Sequence, residues 1–294
     1  MTTTSEDKIG GFRFVRTIHP GATSIVMEVV QESTGRRFAL KQLNASRAEE
    51  ASERRAFAFE AKLGMTLRHP NLVHVHEFIR DPHQPYFIMD LFPSIHMKLP
   101  IARPAVYPMP VAQLHKIMTQ SALALQYMHD KGWVHRDVKP ENVLVSKGGD
   151  VRVVDYALAM KPYSLVKLLF TRKAPRQGTP SYMSPEQIRE QPPLPSADIY
   201  SFGITCYEIA CGRPPFRANS QTELLTKHLK EKPLPLTTHN KGITKEFNDI
   251  VLAMISKAPK GRPESLREFL GKFRAMRIYT TDPDPLKQTD DFQS

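Results

Sequence analysis

Residues 135–142 read His135-Arg136-Asp137-Val138-Lys139-Pro140-Glu141-Asn142, and this octet decides how the whole chain is read. An Asp, a Lys two positions on and an Asn five positions on bring three polar functions into one short loop. The Asp can accept a proton, the Lys can neutralise a phosphate, and the Asn can hold a metal ion. Apolar flanks stand on both sides, Met128 and Trp133-Val134 before, Val143-Leu144-Val145 after. They predict a loop anchored at both ends and exposed at its centre.

Outward from the octet, the bulk composition bounds the answer. A chain of 294 residues, 40% hydrophobic, is one large domain or two small ones with a substantial core. Its 25 prolines punctuate without a period, which excludes a solenoid. Met1–Gly11 is polar and lacks the apolar centre of a secretory signal. The longest mostly apolar stretch, near Ile199–Cys211, contains Ser, Glu and Gly and is too short to span a bilayer. No membrane anchor and a cytoplasmic location are expected. Cys206 and Cys211, the only cysteines, form no zinc pattern and read as two buried small side chains. The net charge of +11 is dispersed apart from Arg172, Lys173 and Arg176, and no nucleic-acid motif accompanies it, so no nucleic-acid partner is expected.

The pattern changes along the chain. Residues 12–43 alternate and are rich in Val, Ile and Phe, which predicts three strands with turns at His19–Thr23 and Ser33–Gly35. Residues 46–67 take helical spacing, with Ala56, Phe59, Leu63 and Leu67 on one face. Two strands follow, Val73–Phe78 and Tyr86–Leu91. This strand-rich unit with one helix is followed by a proline-bearing connector, 92–110. A helix over 111–130 carries Leu114, Ile117, Met118, Ser121, Leu125 and Met128 on one stripe. Short strands at 143–145 and 151–154 pair around Gly148-Gly149. A long loop over 155–190 precedes helices at 196–211, 220–230, 244–256 and 263–274. Residues 276–294 read as a loose polar tail. The expected organisation is α+β and bilobal: a flexible start at 1–11, a first lobe at 12–91, a helical second lobe at 92–274, and the tail from 275.

The octet resembles the catalytic loop of eukaryotic-type protein kinases, and the resemblance extends over residues 12 to about 274. Phe38-Ala39-Leu40-Lys41 resembles the strand motif whose Lys grips nucleotide phosphates, and Glu60 stands where the family places the helix Glu that aims it. The resemblance implies that Asp137 accepts the substrate hydroxyl proton and Lys139 neutralises the transferring phosphoryl. Asn142 and Asp155 would hold magnesium. It implies nucleotide contacts at Ile18, Gly21, Val26, Ala39, Lys41, Glu60, Asp90, Leu91 and Leu144, with ATP and Mg2+, or Mn2+, as cofactors. Gly178-Thr179-Pro180-Ser181-Tyr182-Met183-Ser184-Pro185-Glu186 resembles the end of the family's activation segment. Glu186 should then pair with Arg262, and Asp198 should cap the octet's backbone. Lys139 with Thr179 implies Ser/Thr specificity, and the segment is similar to the bacterial eukaryotic-like branch. The implied function is a Ser/Thr protein kinase able to autophosphorylate, acting on protein substrates. The alternative is a nucleotide-binding scaffold with little turnover.

Four places in the chain depart from the family pattern. The phosphate loop has His19, Gly21 and Ser24 in place of three glycines, and Pro20 lacks an amide donor. Asp155-Tyr156-Ala157 replaces Asp-Phe-Gly, so Tyr156 brings a hydroxyl that needs a partner if buried. Gly64 interrupts a helix interior at a cost of about 1 kcal/mol. The run Leu165–Phe170 is apolar for an activation segment and suggests a short helix packed on its own lobe or, as the alternative, a surface for self-association or a partner. Ser164, Thr171 and Ser181 are candidate phosphorylation sites, with Arg136 placed to meet a phosphate.

Overall fold

The computed structural model describes residues 8–164, 167, 170, 171 and 173–282. The chain divides into two compact units, Met1–Pro93 and Ser94–Ser294.

The first unit is built on β1 (Lys8–Ile9), β2 (Phe12–Pro20), β3 (Ser24–Gln31), β4 (Arg37–Leu43), β5 (Val75–Ile79) and β6 (Tyr86–Met89). They form an antiparallel sheet in the order β1-β2-β3-β4-β6-β5. The period of two in the sequence sorts the side chains onto two faces. Phe38, Leu40, Tyr86 and Ile88 join Phe12, Met27 and Val29 in one apolar cluster. Leu43, Val75 and Phe87 join Ala48, Phe57 and Ala61 in another. β1 lies inside the stretch expected to be a flexible start. Gly10-Gly11 closes a two-residue hairpin there, with Gly10 at φ +58°, and pairs Ile9 with Phe12.

The helix expected over 46–67 is two helices, α1 (Ala45–Ala48) and α2 (Ala51–Thr66), separated where Glu50 is extended. Its buried face also differs from the expected stripe. Phe57, Glu60, Ala61, Leu63 and Gly64 are buried, whereas Ala56 and Phe59 are half-buried. The reason is packing: Phe57 and Ala61 dock on Leu43, Val75 and Phe87, and this rotation carries Glu60 inward.

The second unit contains a small sheet and most of the helices. Residues 92–110 are more than a connector. They supply β7 (Ile95–His96) and α3 (Lys98–Ala102). β7 pairs with β8 (Val143–Val145), which pairs with β9 (Val151–Val153). α4 (Leu114–Asp130) buries every residue of its expected stripe. Then come α5 (Pro185–Ile188), inside the expected loop, α6 (Pro195–Cys211), α7 (Gln221–Lys230), α8 (Leu236–His239), α9 (Lys245–Met254) and α10 (Leu266–Phe273). Ser184, Ser220, Thr244 and Ser265 cap α5, α7, α9 and α10 through their hydroxyls. α6 is buried all round from Ala197 to Ala210, Asp198 and Glu208 included, so these carboxylates must find partners inside the fold. Cys206 is fully buried and Cys211 partly so, and both thiols are free.

The tail begins later than its polarity suggests. Ile278 is buried, its carbonyl accepts from the Thr244 amide at 3.0 Å, and the Tyr279 hydroxyl donates to the Ala210 carbonyl at 2.9 Å. Two buried anchors outweigh the surrounding charge; residues 283–294 lie outside the described chain. No helix among the described residues is long and apolar enough to cross a membrane.

Candidate active site

The octet is folded inward rather than exposed. His135, Arg136, Asp137, Val138, Pro140 and Asn142 are buried, and only Lys139 and Glu141 are half-buried. Its backbone is held by a carboxylate from α6. Asp198 accepts from the His135 amide at 2.7 Å and the Arg136 amide at 2.8 Å, and its Oδ2 also meets the His129 ring at 2.8 Å. Burial alone would raise the Asp198 pKa. These donors outweigh it and hold the carboxyl below its ordinary range. Arg136 is thereby fixed at φ +70°, a conformation that an L-residue keeps only when its surroundings impose it.

Three side chains converge on Asp137, those of Thr179, Lys139 and, at 3.4 Å from Oδ2, Asn142. Its Oδ1 accepts from the Thr179 amide at 2.9 Å and the Thr179 hydroxyl at 2.8 Å. Its Oδ2 accepts from Lys139 Nζ at 2.5 Å, and Lys139 also donates to the Thr179 hydroxyl at 2.8 Å. Thr179 reaches this position because Gly178, at φ +127°, lets the chain pass the Arg136 carbonyl. That carbonyl also accepts from the Gln187 carboxamide at 2.8 Å.

Asn142 and Asp155 are coupled through the backbone. The Val154 amide donates to the Asn142 carbonyl at 3.1 Å, and the His135 ring meets the Val154 carbonyl at 3.1 Å. Asp155 follows directly at φ +69°. The Asn142 amide nitrogen donates to the Asp137 carbonyl at 2.8 Å, which reserves the carboxamide oxygen for another partner. One amide oxygen and one carboxylate, with no thiolate, suit a hard cation that retains part of its hydration, as Mg2+ does. Among the described residues no group of three or more His, Cys, Asp or Glu gathers as a metal site. Tyr156 is buried, and its hydroxyl donates to the Val153 carbonyl at 3.0 Å.

In the first unit, the alternation of β4 puts Lys41 on the same face as Leu43, the face that α2 covers. Lys41 Nζ meets both Glu60 oxygens, at 2.7 and 2.9 Å. The strand register sets Val26 opposite Lys41, and Ala39 opposite Met89. Ile18 is exposed and Leu91 half-buried, as is Leu144 on β8 in the second unit. The Asp90 carboxylate meets the His76 ring at 2.8 Å. Gly21 forms the turn after β2, where its amide donates to the Ser24 carbonyl at 2.9 Å.

One sequence expectation changes here. The Arg136 guanidinium donates to the Leu158 carbonyl at 3.3 Å, the Met160 sulfur at 2.6 Å and the Pro175 carbonyl at 2.6 Å. It is buried and already occupied, rather than open toward a phosphate. Of the apolar run expected at 165–170, residues 165, 166, 168 and 169 lie outside the described residues, as does Arg172; Phe170 is 85% exposed.

A polar cluster next to the octet escaped the sequence reading. Lys98 Nζ donates to Glu208 at 2.6 Å and to the Tyr182 hydroxyl at 3.0 Å, and it lies 4.0 Å from Glu141. The Tyr182 hydroxyl donates to the second Glu208 oxygen at 2.5 Å. Burial, reinforced by the Glu208 charge, pushes the Tyr182 pKa far up and keeps this donor protonated. Lys98 and Glu208 stand 110 positions apart, so no local spacing could have paired them. The Glu186–Arg262 ion pair does form, with both side chains buried and contacts of 2.6 and 3.0 Å.

An antiparallel sheet carrying a Lys–Glu pair, and a helical unit gathering Asp, Lys, Asn and Thr, define the class of this protein. The chain belongs to the protein kinase domain family, whose profile matches residues 12–272. It is similar to the serine/threonine-protein kinase PknB of Mycobacterium leprae, with 30% identity over 84% of this chain and 40% of that protein. It is also similar to PknA of Mycobacterium tuberculosis, with 29% identity over 94% of this chain and 63% of that protein. PknB of Mycolicibacterium smegmatis is 32% identical over 79% of this chain and 37% of its own length. The chain thus spans about two fifths to three fifths of these relatives.

Proposed function

We propose that the protein is a serine/threonine protein kinase that transfers the γ-phosphoryl group of Mg-ATP to Ser or Thr hydroxyls of protein substrates. The observation that carries this reading is the engagement of Asp137 by Lys139 and Thr179. A carboxylate held at both oxygens is oriented before substrate arrives, and Oδ2, which takes one short bond against two on Oδ1, keeps capacity for an incoming hydroxyl. In this reading Asp137 aligns the hydroxyl and takes its proton. Lys139 offsets negative charge on the moving phosphoryl group, and Lys41, steered by Glu60, holds phosphate oxygens. Asn142 and Asp155 would hold Mg2+, which supplies charge neutralisation at the phosphates when bound. Thr179 sets the carboxylate plane, and its place beside Lys139 supports Ser/Thr over Tyr substrates.

The test compares the wild type with Asp137→Asn, using Mg-ATP and a generic basic protein. The amide cannot take the proton, so transfer should fall by about 10²- to 10⁴-fold. Mg-ATP binding should persist in both proteins. Equal transfer by both would overturn the assignment of Asp137, and absence of transfer from both would favour a nucleotide-binding scaffold.

A further inference from the structure

We propose that Asn44 is a positioning residue for nucleotide phosphates, a tether that gives a glycine-poor turn the shape other sequences obtain from glycine. The inference rests on the reading of the β2–β3 turn as the phosphate loop.

The turn comprises Gly21, Ala22 and Thr23 between β2 and β3. Asn44 holds it at three points. Its side-chain amide donates to the Gly21 carbonyl at 3.1 Å and the Ala22 carbonyl at 3.2 Å. Its backbone amide donates to the Thr23 carbonyl at 2.9 Å. Asn44 also stands at the N-cap of α1, with φ −62° and ψ 140°, where an Asn side chain ordinarily accepts from a helix amide. Here it makes no capping bond, and its hydrogen bonds go to the turn instead.

A trans peptide plane points its C=O and the following N–H in opposite directions. Tying the Gly21 and Ala22 carbonyls to Asn44 therefore turns the Ala22 and Thr23 amides to the other side. Both residues are exposed, and neither amide donates within the described residues. Consecutive amides facing one way make an anion-binding concavity. Pro20 can contribute no amide, and the Gly21 amide is taken by Ser24 at 2.9 Å, so Ala22 and Thr23 supply the donors. Gly21 itself is required for close approach, because a Cβ there would lie 2.6 Å from the Ser24 carbonyl oxygen.

The experiment measures ATP and adenosine binding by calorimetry, with Mg2+ present, for wild type, Asn44→Ala and Asn44→Asp. Asp has the same shape, but as a carboxylate it faces the two carbonyls without a donor. The expected result is an ATP affinity about tenfold weaker in both variants, adenosine affinity within about twofold of wild type, and an unchanged Tm. ATP binding within about twofold of wild type in either folded variant would overturn the inference, as would an equal loss for adenosine. A wild type that binds no ATP would overturn the phosphate-loop reading and the inference with it.

Discussion

Arg136 donates to the Pro175 carbonyl at 2.6 Å, so the arginine preceding the candidate catalytic Asp137 holds the far end of the activation segment through backbone, not through a phosphate. The same guanidinium reaches the Leu158 carbonyl near the segment's start. Burial lowers its pKa from the ordinary arginine value, against the opposing charge of Asp198. Among the described residues it forms no ion pair with a carboxylate. Phosphatase treatment of the purified protein should therefore leave kinase activity within about twofold. Arg136→Lys should lower activity and Tm together, since a single nitrogen cannot span the Leu158 and Pro175 carbonyls that Nη1 and Nη2 reach separately, and each buried carbonyl left alone costs about 1–3 kcal/mol. A large loss of activity on dephosphorylation would show that Arg136 leaves these carbonyls in the active enzyme.

Gly178→Ala should separate catalysis from nucleotide binding. The residue sits at φ +127°, and a Cβ would meet the Arg136 carbonyl oxygen at 3.1 Å. Relief of roughly 1–3 kcal/mol of strain requires the chain to shift, and Thr179 would move away from Asp137. A fall in kcat of at least about tenfold is expected, with the Mg-ATP dissociation constant nearly unchanged. An unaltered kcat would show that the Thr179–Asp137 contact is dispensable.

The Glu186–Arg262 pair should behave as a buried unit. Arg262 also donates to the carbonyls of Ser256 at 2.8 Å and Ser196 at 2.7 Å. Arg262→Ala leaves a buried carboxylate without its partner, and a loss of about 3–5 kcal/mol in denaturant unfolding is expected. Adding Glu186→Ala should cost much less than the sum of the single changes, because the unpaired charge is then gone. Additive losses would contradict this account.

His228 makes the fold sensitive to mild acid. It is buried beside Phe216, with Nδ1 against the Tyr200 hydroxyl at 2.9 Å. Burial, aided by the Lys257 charge, lowers its pKa from 6.5 to about 3. Between these values the unfolded chain binds a proton that the folded chain does not, so stability falls as pH falls. The contribution is absent above about pH 6.5 and approaches about 1.4 kcal/mol per pH unit below it. His228→Gln should flatten the dependence of unfolding free energy on pH by that slope between about pH 6 and pH 5. A parallel shift with an unchanged slope would show that another group titrates there.

Much of this was legible from residue order, because the relevant interactions are local. The octet, the period of two in β3 and β4 and the stripe of α4 each act over a few residues, where chain geometry alone settles who faces whom. Gly10-Gly11 was a readable hairpin signal that the polarity of the N-terminus masked. Only the tertiary structure decided the rest. The rotation of α2 follows from how Phe57 and Ala61 pack, and the octet's burial, unlike its Asp198 cap, was not implied by the resemblance. The bonds of Lys98 to Glu208 and Tyr182, of Arg136 to Pro175, and of Asn44 to the Gly21–Thr23 turn join residues far apart in sequence. The physical reason is common to all of them. A buried polar group must find a partner wherever the chain brings one, and sequence spacing does not encode that encounter.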